Sequence, residues 1–354
     1  MKTLRKDEIT DLAYGASFLG TGGGGDMSSG MNLIESDIDS GRHFRLASFD
    51  ELDDDDLIVS PYYVGAVGHS SSKTHLTDTA YGATRVLKHY LKENLGGIIA
   101  AELGGFATLG ALHVAGMEDV PLLDADAAGR ATPDLQCSMF YVSGVKMAPF
   151  SVFTEQEDQI VVKSISSDSQ AELIVRGIAS AVGSSVGVCD HPGRSKEIRA
   201  ASVVGTISRS ISIGKKLRKG SINGLLKDRS VHKLFRGYLR ITKSEIKEGF
   251  TYGNYLFEGT QEYKGKTMKI WFKNENLISW VDDKIYVTSP DLISVTTLDL
   301  IPISNPIKEV GEEYFVFGLP ADAKWRTPRG LEVMAPRFFG YDVDYIPIER
   351  VIQA

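Results

Sequence analysis

Three acidic residues follow two apolar segments that are typical of strands in a buried parallel sheet. Glu102 follows residues 97–101, while Asp124 and Asp126 follow residues 121–123, and a helix-length amphipathic stretch separates the two segments. Because the carboxyl ends of neighbouring parallel strands border the ligand crevice of an open α/β sheet, these carboxylates are expected at one edge. Asp124 and Asp126 are two residues apart, so they share a face while the chain is extended. Such a group could hold a divalent metal or a water molecule.

Arg130 lies just beyond these acids and could orient a substrate carboxylate. A structural role is the alternative for Asp126 and Arg130, since an Asp at a strand end often caps the next helix and the Arg could pair with it. For Glu102 and Asp124 a functional role is favoured. An acid directly after an apolar strand needs a partner or water, and burying it unpaired costs several kcal/mol.

A run of glycines, Gly22-Gly23-Gly24-Gly25, joins two segments with helical periodicity, residues 4–19 and a segment that begins at Met27. Glycines give access to positive φ and let a ligand approach bare backbone N–H groups at a helix start, which suits an anion or a developing oxyanion. Gly104 and Gly105 follow Glu102, and we expect all six glycines to bind substrate. A plain flexible turn is the alternative.

The glycine run formally matches two nucleotide-binding patterns, but its context fits neither. A dinucleotide fingerprint follows a strand, whereas a helical pattern precedes these glycines. Asp26-Met27 stands where a phosphate-binding loop needs Lys and then Ser or Thr. No nucleotide cofactor is therefore expected.

Histidines His69 and His75 lie in a long polar loop after the segment 57–59, which is typical of a strand. At that end of the strand they could join Glu102 and Asp124 as metal ligands or carry protons; surface histidines are the alternative. Carboxylates alone favour magnesium or manganese, and added histidine favours zinc. His113 and His191 are weaker candidates. Cys137 and Cys189 are far apart, which excludes a thiolate zinc site and fits a reducing compartment.

The composition narrows the class of protein. The net charge of −7 argues against nucleic acid as the main partner. No apolar stretch approaches the ~18 residues of a membrane span, and acidic residues directly after the first cationic ones argue against a signal peptide. We expect a cytoplasmic protein that acts on a small molecule, without membrane or nucleic acid partners, and that forms a homo-oligomer.

The length of 354 residues predicts two domains. Residues 1–229 alternate strand and helix patterns, which predicts a layered α/β domain with a largely parallel sheet. From Leu234 onward, period-two segments broken by turn signals predict an antiparallel, barrel-like β domain over residues 230–354. The aromatic segment 331–348 is expected to pack back on the first domain.

Several sequence blocks, in the same order over nearly the full length, resemble the S-methyl thiohydantoin desulfurase family. The blocks are Phe18-Leu19-Gly20-Thr21 with Gly22-Gly23-Gly24-Gly25, Glu102-x-Gly104-Gly105, Asp124-x-Asp126-x-x-Gly129-Arg130-Ala131-x-Pro133-x-Leu135-Gln136, Gly205-Thr206-Ile207-Ser208, Asn274-Glu275-Asn276-Leu277, Pro290-Asp291-Leu292-Ile293 and Pro336-Arg337-Phe338-Phe339-Gly340-Tyr341. The resemblance implies an α/β domain followed by a β-barrel-like domain. It also implies kinship in gene context with hydantoinase and oxoprolinase enzymes, and most members of the family have no assigned substrate.

The chain departs from the family pattern at two places. It has Gly65-Ala66-Val67-Gly68-His69-Ser70 where the family usually has Gly-Ala-Pro-Thr-Val and a Glu-Lys pair, and Phe106-Ala107 where the family usually has Asn. A changed loop at a strand end suggests a changed substrate.

Two functions from different classes follow. The first is a hydrolase of a small cyclic amide, thioimidate or hydantoin-like ring, in which the carboxylates hold a metal (Zn, Mg or Mn) or a water, and the glycine loop meets the developing charge. The second is a non-catalytic ligand-binding or regulatory subunit that docks on a hydantoinase-type partner. A nicotinamide oxidoreductase ranks third.

Overall fold

The computed structural model describes residues 1–65 and 78–352. Its helices are α1 (Lys6–Leu19), α2 (Met27–Asp39), α3 (Thr79–Leu91), α4 (Ala107–Met117), α5 (Met139–Ser143), α6 (Asp168–Val182), α7 (Ser195–Ala200), α8 (Thr206–Arg218), α9 (Ile222–Leu226), α10 (Pro328–Met334) and α11 (Ile348–Val351). The strands are β1 (Lys2–Thr3), β2 (Arg45–Ala47), β3 (Leu57–Val64), β4 (Leu95–Ala100), β5 (Leu122–Asp126), β6 (Phe150–Phe153), β7 (Gln159–Val162), β8 (Val186–Arg194), β9 (Val203–Val204), β10 (His232–Lys247), β11 (Phe250–Gly259), β12 (Thr267–Lys273), β13 (Glu275–Val281), β14 (Lys284–Thr288), β15 (Leu292–Thr297) and β16 (Glu313–Leu319).

The first sheet has the order β1-β2-β5-β4-β3-β8-β6-β7, with β9 paired to β5. Its centre, β2-β5-β4-β3, is parallel, and the flanking strands are antiparallel. Ile98 and Ile99 are both 0% exposed, because helices cover both faces of the sheet at β4. The predicted α/β domain with a largely parallel sheet is confirmed.

The second sheet is antiparallel and has the order β14-β13-β12-β11-β10-β16-β15. It curls into a half-barrel whose inner residues alternate with exposed ones, as Met268, Ile270 and Phe272 do along β12. The predicted β-rich, barrel-like C-terminal part is confirmed. The sheet begins at His232, and the domain boundary near residue 230 stays a prediction.

Direct hydrogen bonds and ring contacts join the two halves. Ser294 Oγ donates to the carbonyl oxygen of Phe18 at 2.5 Å, and the Phe18 and Phe317 rings lie 5.6 Å apart. Near the C-terminus, Trp325 Nε1 donates to the carbonyl oxygen of Ala128 at 2.7 Å, while the Tyr341 ring lies 4.9 Å from Trp271. The C-terminal segment therefore contacts both sheets. Within the described ranges, no helix is both long and apolar enough to cross a membrane.

Candidate active site

A cavity of about 370 Å³ lies where the glycine loop, the carboxyl ends of β3 and β4, strand β8 and the start of β13 meet. Both halves of the chain therefore contribute to its wall. Five acidic side chains line it: Asp26, Glu102, Asp134, Asp190 and Glu275. A cavity of this size holds a small-molecule ligand.

Glu102 lines the cavity just after β4, as predicted. Its Oε2 accepts a hydrogen bond from the backbone N–H of Thr132 at 2.8 Å. The pKa of Glu102 is raised to about 7. Burial is the largest cause and the charge of Asp126 adds to it, while the Thr132 hydrogen bond and the positive charge of Arg130 lower it. A carboxyl group with such a pKa exchanges protons near neutral pH.

Glu275, at the start of β13, is an acidic residue of the cavity that is not predicted from the sequence. Its side chain is 2% exposed, and Oε2 has no hydrogen-bond partner among the described residues. Burial raises the pKa of Glu275 well above its ordinary value, and the charge of Glu102 raises it further, while Arg130 lowers it. Burial and the charge of Glu102 therefore both favour the protonated form of Glu275. Its place inside the block Asn274-Glu275-Asn276-Leu277 was the available signal.

Arg130 is 0% exposed and does not line the cavity, so the expected role of binding a substrate carboxylate is corrected. Its guanidinium donates five hydrogen bonds, to the carbonyl oxygens of residues 131, 276, 290 and 291 and to Thr21 Oγ1, at 2.8 to 3.3 Å. These use all of its N–H groups. Arg130 therefore ties the two halves of the chain together and acts on the cavity only through its charge.

Asp124 also lies outside the cavity wall. Its two carboxylate oxygens accept hydrogen bonds from the backbone N–H and the hydroxyl of Ser208, at 2.8 and 2.6 Å, in the first turn of α8. The carboxylate thus satisfies a free N–H at a helix start. The structure does not bring Asp124 together with Glu102 as a pair of metal ligands.

Asp126 is 0% exposed and is likewise not part of the lining. Its Oδ2 accepts the backbone N–H groups of Ala128 and Gly129 at 2.9 and 2.7 Å. Burial raises the pKa of Asp126 to about 7, although these hydrogen bonds lower it. Asp126 therefore stabilises the turn after β5. This agrees with the structural role that the sequence left open as the alternative for Asp126.

The metal prediction has little support in this part of the chain. Across residues 1–65 and 78–352, no group of three or more His, Cys, Asp or Glu side chains is placed to hold a metal ion. His69 and His75 lie outside the described residues, so their role as ligands stays a prediction.

The glycine loop lines the cavity through Gly22, Gly23, Gly24 and Gly25. A Cβ atom on Gly23 would overlap Oε1 of Glu275, so the carboxyl group lies directly on bare backbone. The N–H of Gly23 is used by the carbonyl oxygen of Gly20, whereas Gly24 and Gly25 donate no hydrogen bond to the described residues. Within the described part of the chain, the N–H groups of Gly24 and Gly25 are therefore available to a negative ligand atom.

Gly104 and Gly105 lie behind this loop and are not part of the cavity wall. A Cβ atom on Gly104 would overlap the backbone of Gly24. A Cβ atom on Gly105 would overlap Ser17 and Met27. These two glycines let the chain after β4 pack against the glycine loop. Their predicted contact with substrate is corrected to a packing role.

On the β3–β8 side the cavity is lined by Ser60, Tyr62, Asp190 and His191. The Tyr62 hydroxyl donates to Asp190 Oδ2 at 2.7 Å, and His191 Nδ1 lies 2.8 Å from Asp190 Oδ1. Burial and the neighbouring Asp190 raise the pKa of Tyr62 well above its ordinary value, so the phenol stays a hydrogen-bond donor. From the sequence, His191 was a weak candidate.

Comparison with known proteins identifies both the fold and the family. A crystal structure of a protein from Chromobacterium violaceum superposes with a TM-score of 0.80 at 20% sequence identity, covering 98% of this chain and 100% of that chain, and so shows the same fold. None of the curated proteins matches the chain significantly. Residues 7–164 match the family model described as "S-Me-THD-like, N-terminal domain", and residues 166–348 match "S-Me-THD-like, C-terminal domain". The chain therefore belongs to the S-Me-THD-like family, the S-methyl thiohydantoin desulfurase-like proteins.

Proposed function

We propose that this protein is a hydrolase of a small cyclic amide-like ring, of the hydantoin or S-methyl thiohydantoin type. The observation that carries the proposal is the buried pair of Glu102 and Glu275 in one cavity. One member has a pKa of about 7 and the other a pKa well above its ordinary value. Two buried carboxyl groups with raised pKa values in one cavity can divide the roles of proton acceptor and proton donor.

This protonation state is complementary to the edge of a cyclic amide. A ring of this kind presents an N–H donor and a C=O or C=N acceptor side by side. Ionised Glu102 would accept the ring N–H, and protonated Glu275 would donate to the acceptor atom. The pair therefore supports binding in a single orientation.

The charge of the cavity indicates which rings it accepts. Of the described residues that line it, Arg176 is the single Lys or Arg, and its Nε is already bound to Glu172 Oε1 at 2.8 Å. The acidic lining would repel an anionic substituent, although Lys273 Nζ pairs with Asp134 and the protonated form of Glu275 carries no charge. We therefore propose a neutral or cationic ring and abandon the substrate carboxylate that Arg130 was expected to orient.

In the proposed reaction, water adds to the ring carbon that carries the sulfur or nitrogen leaving group. The N–H groups of Gly24 and Gly25 would stabilise negative charge that develops on the ring heteroatom. Glu275 would then protonate the leaving atom as its bond to carbon breaks. For S-methyl thiohydantoin, the balance is ring plus water giving hydantoin plus methanethiol.

A metal ion has no assigned step in this reaction. The metal ligands predicted from the sequence are Glu102, Asp124, His69 and His75. Among the described residues, Glu102 is the one of these that lines the cavity. A divalent ion bound through His69 or His75 stays a proposal that a chelator tests. Activity that survives EDTA treatment and dialysis would remove it.

The test is methanethiol release from a panel of S-methyl thiohydantoins, followed with a thiol reagent, beside ring opening of the parent hydantoins. We expect Glu275→Gln and Glu102→Gln each to lower kcat by roughly 100-fold or more. The control is Glu245→Gln, an exposed position on β10. Wild-type protein without turnover on the whole panel, or unchanged kcat in both variants, would overturn the proposal.

The changed sequence that begins at Gly65 favours one alternative, because Gly65 itself lines the cavity. The protein would then be a non-catalytic, ligand-binding subunit for a hydantoinase-type partner. Calorimetry that detects hydantoin binding in a protein without turnover would support this alternative.

A further inference from the structure

His191 occupies a β-bulge in the pairing of β8 with β3. Ser60 lies opposite Asp190, while Ile58 lies opposite Gly193, so Val59 alone faces the two residues His191 and Pro192. His191 has a φ of +45°, which is uncommon for a residue other than glycine. Bulges re-aim side chains and are common next to active sites, where strained backbone also collects.

The bulge turns the His191 ring toward its own neighbour. Successive side chains of a regular strand point to opposite faces, yet His191 Nδ1 lies 2.8 Å from Asp190 Oδ1. The other oxygen of Asp190 accepts the Tyr62 hydroxyl at 2.7 Å, and the ring packs on Phe140 with centroids 4.7 Å apart. The imidazole is therefore held on one side by a fixed carboxylate and on its face by an aromatic ring.

The second ring nitrogen is left free. His191 is 5% exposed, and its Nε2 has no hydrogen-bond partner among the described residues. Ser60, directly opposite Asp190 on β3, is 0% exposed and its Oγ likewise has none. Both residues line the cavity that holds Glu102 and Glu275. Buried polar atoms without partners need an explanation, and a bound ligand or water in the cavity supplies one.

We propose that His191, positioned by Asp190, is the catalytic base that activates the attacking water. The inference rests on the proposed hydrolase function and completes it, since the carboxyl pair supplies the acid. With Nδ1–H donated to Asp190, the neutral ring keeps its lone pair on Nε2. Nε2 takes a proton from water as the water oxygen bonds to the ring carbon, and Ser60 Oγ holds that water.

The reaction returns every protein group in the cavity to its starting protonation state. Glu275 gives its proton to the departing sulfur or nitrogen as the bond to carbon breaks. The proton on His191 then passes to the Glu275 carboxylate, which restores both groups. Asp190 keeps its contact with Nδ1 and stabilises the imidazolium, so it is a positioning residue.

The kinetic test compares His191→Gln with wild-type protein in methanethiol release from S-methyl thiohydantoin. We expect kcat to fall by roughly 100-fold or more, with KM changed by less than about three-fold, because the base acts on water rather than on ring binding. His89→Gln, at an exposed position near the end of α3, is the control and should leave kcat unchanged. Active wild-type protein with unchanged kcat in His191→Gln overturns this inference alone. Inactive wild-type protein overturns the proposed function as well.

A second measurement observes the imidazole of His191 directly in the wild-type protein. In protein labelled with ¹⁵N-histidine, the NMR shifts of the two ring nitrogens report the tautomer of each histidine. The signals of His191 are identified as the set that disappears in His191→Gln. We expect an Nδ1–H tautomer whose Nε2 signal shifts when hydantoin is added, and a changed tautomer balance in Asp190→Asn. The opposite tautomer, or an Nε2 signal that millimolar hydantoin leaves in place, overturns the inference.

Discussion

The proton held by Glu102 and Glu275 makes the stability of the folded protein depend on pH. Both groups have raised pKa values because burial penalises the charged form. A carboxyl group whose pKa is higher in the folded state contributes stability that is present below the unfolded pKa, here 4.5 for Glu102. That contribution is lost as the pH rises through the folded pKa of about 7.

Glu102→Gln should therefore become more stable relative to wild type as the pH rises. The amide carries no charge to desolvate, and its oxygen still accepts the Thr132 N–H. We expect the difference in free energy of unfolding to grow by on the order of 1–3 kcal/mol between pH 5 and pH 8. Urea titrations at both pH values measure it, with Glu245→Gln as the control. A difference that does not change with pH would contradict the raised pKa of Glu102.

Asp126 allows a test of its structural role. In Asp126→Asn the side-chain oxygen can still accept the N–H groups of Ala128 and Gly129, so we expect stability at pH 7 close to that of wild type. Asp126→Ala leaves both N–H groups buried without an acceptor, which costs about 1–3 kcal/mol. Thermal unfolding compares the two variants. If Asn is as damaging as Ala, the turn does not depend on these hydrogen bonds.

At the residue scale, the sequence predicted only one of the two central acids. Glu102 was found because an acid directly after an apolar run signals a strand end at a crevice. Asp124 obeys the same rule, but the strand turns it toward α8 rather than the cavity. Glu275 sits in a polar run, Asn274-Glu275-Asn276, that gives no periodic signal. Its role depends on the docking of the second sheet, and such long-range packing is not encoded in local spacing.

At the scale of helices and strands, the elements with long apolar patterns were predicted from the sequence, whereas strand β13 was not. The unit formed by β4, α4 and β5 follows from two apolar runs separated by a helix-length stretch. Strand β13 begins with the polar residues Glu275 and Asn276, so in the sequence its start resembles a turn. The bulge at His191 was also invisible, because it depends on pairing with β3.

The glycine loop gives a prediction at this scale. Gly23→Ala places a methyl group where Oε1 of Glu275 lies, so we expect the carboxyl group to move and kcat for methanethiol release to fall by at least about 10-fold. Gly177→Ala on α6 is the matched control, since its Cβ meets open space. That variant should keep full activity and gain up to about 1 kcal/mol of stability. Full activity in Gly23→Ala would show that the contact with Gly23 does not hold Glu275.

On the scale of the whole molecule, the site exists only because the two halves of the chain are joined. Glu102 comes from the α/β half and Glu275 from the antiparallel sheet, and the glycine loop lies between them. The sequence predicted both architectures, since each has its own periodicity. For their interface it predicted that residues 331–348 pack back on the first domain, where Cys137 Sγ contacts the carbonyl oxygen of Val333. It did not predict the buried polar groups, such as Arg130, that hold the interface together.

Arg130 therefore gives a prediction about the cooperativity of unfolding. Arg130→Lys replaces five hydrogen-bond donors with three and leaves the carbonyl oxygens of residues 276, 290 and 291 short of partners. We therefore expect the free energy of unfolding to fall by about 3–5 kcal/mol.

The measurement uses the three tryptophans, Trp271, Trp280 and Trp325, which all belong to the C-terminal half. Their fluorescence follows that half, while circular dichroism follows the whole chain. We expect the two urea transitions to coincide in wild type and in the exposed control Arg240→Lys, whose partner Glu258 lies in the same half, and to separate in Arg130→Lys. Coincident transitions at wild-type stability in Arg130→Lys would mean that other contacts, such as that of Trp325 with Ala128, suffice to join the halves.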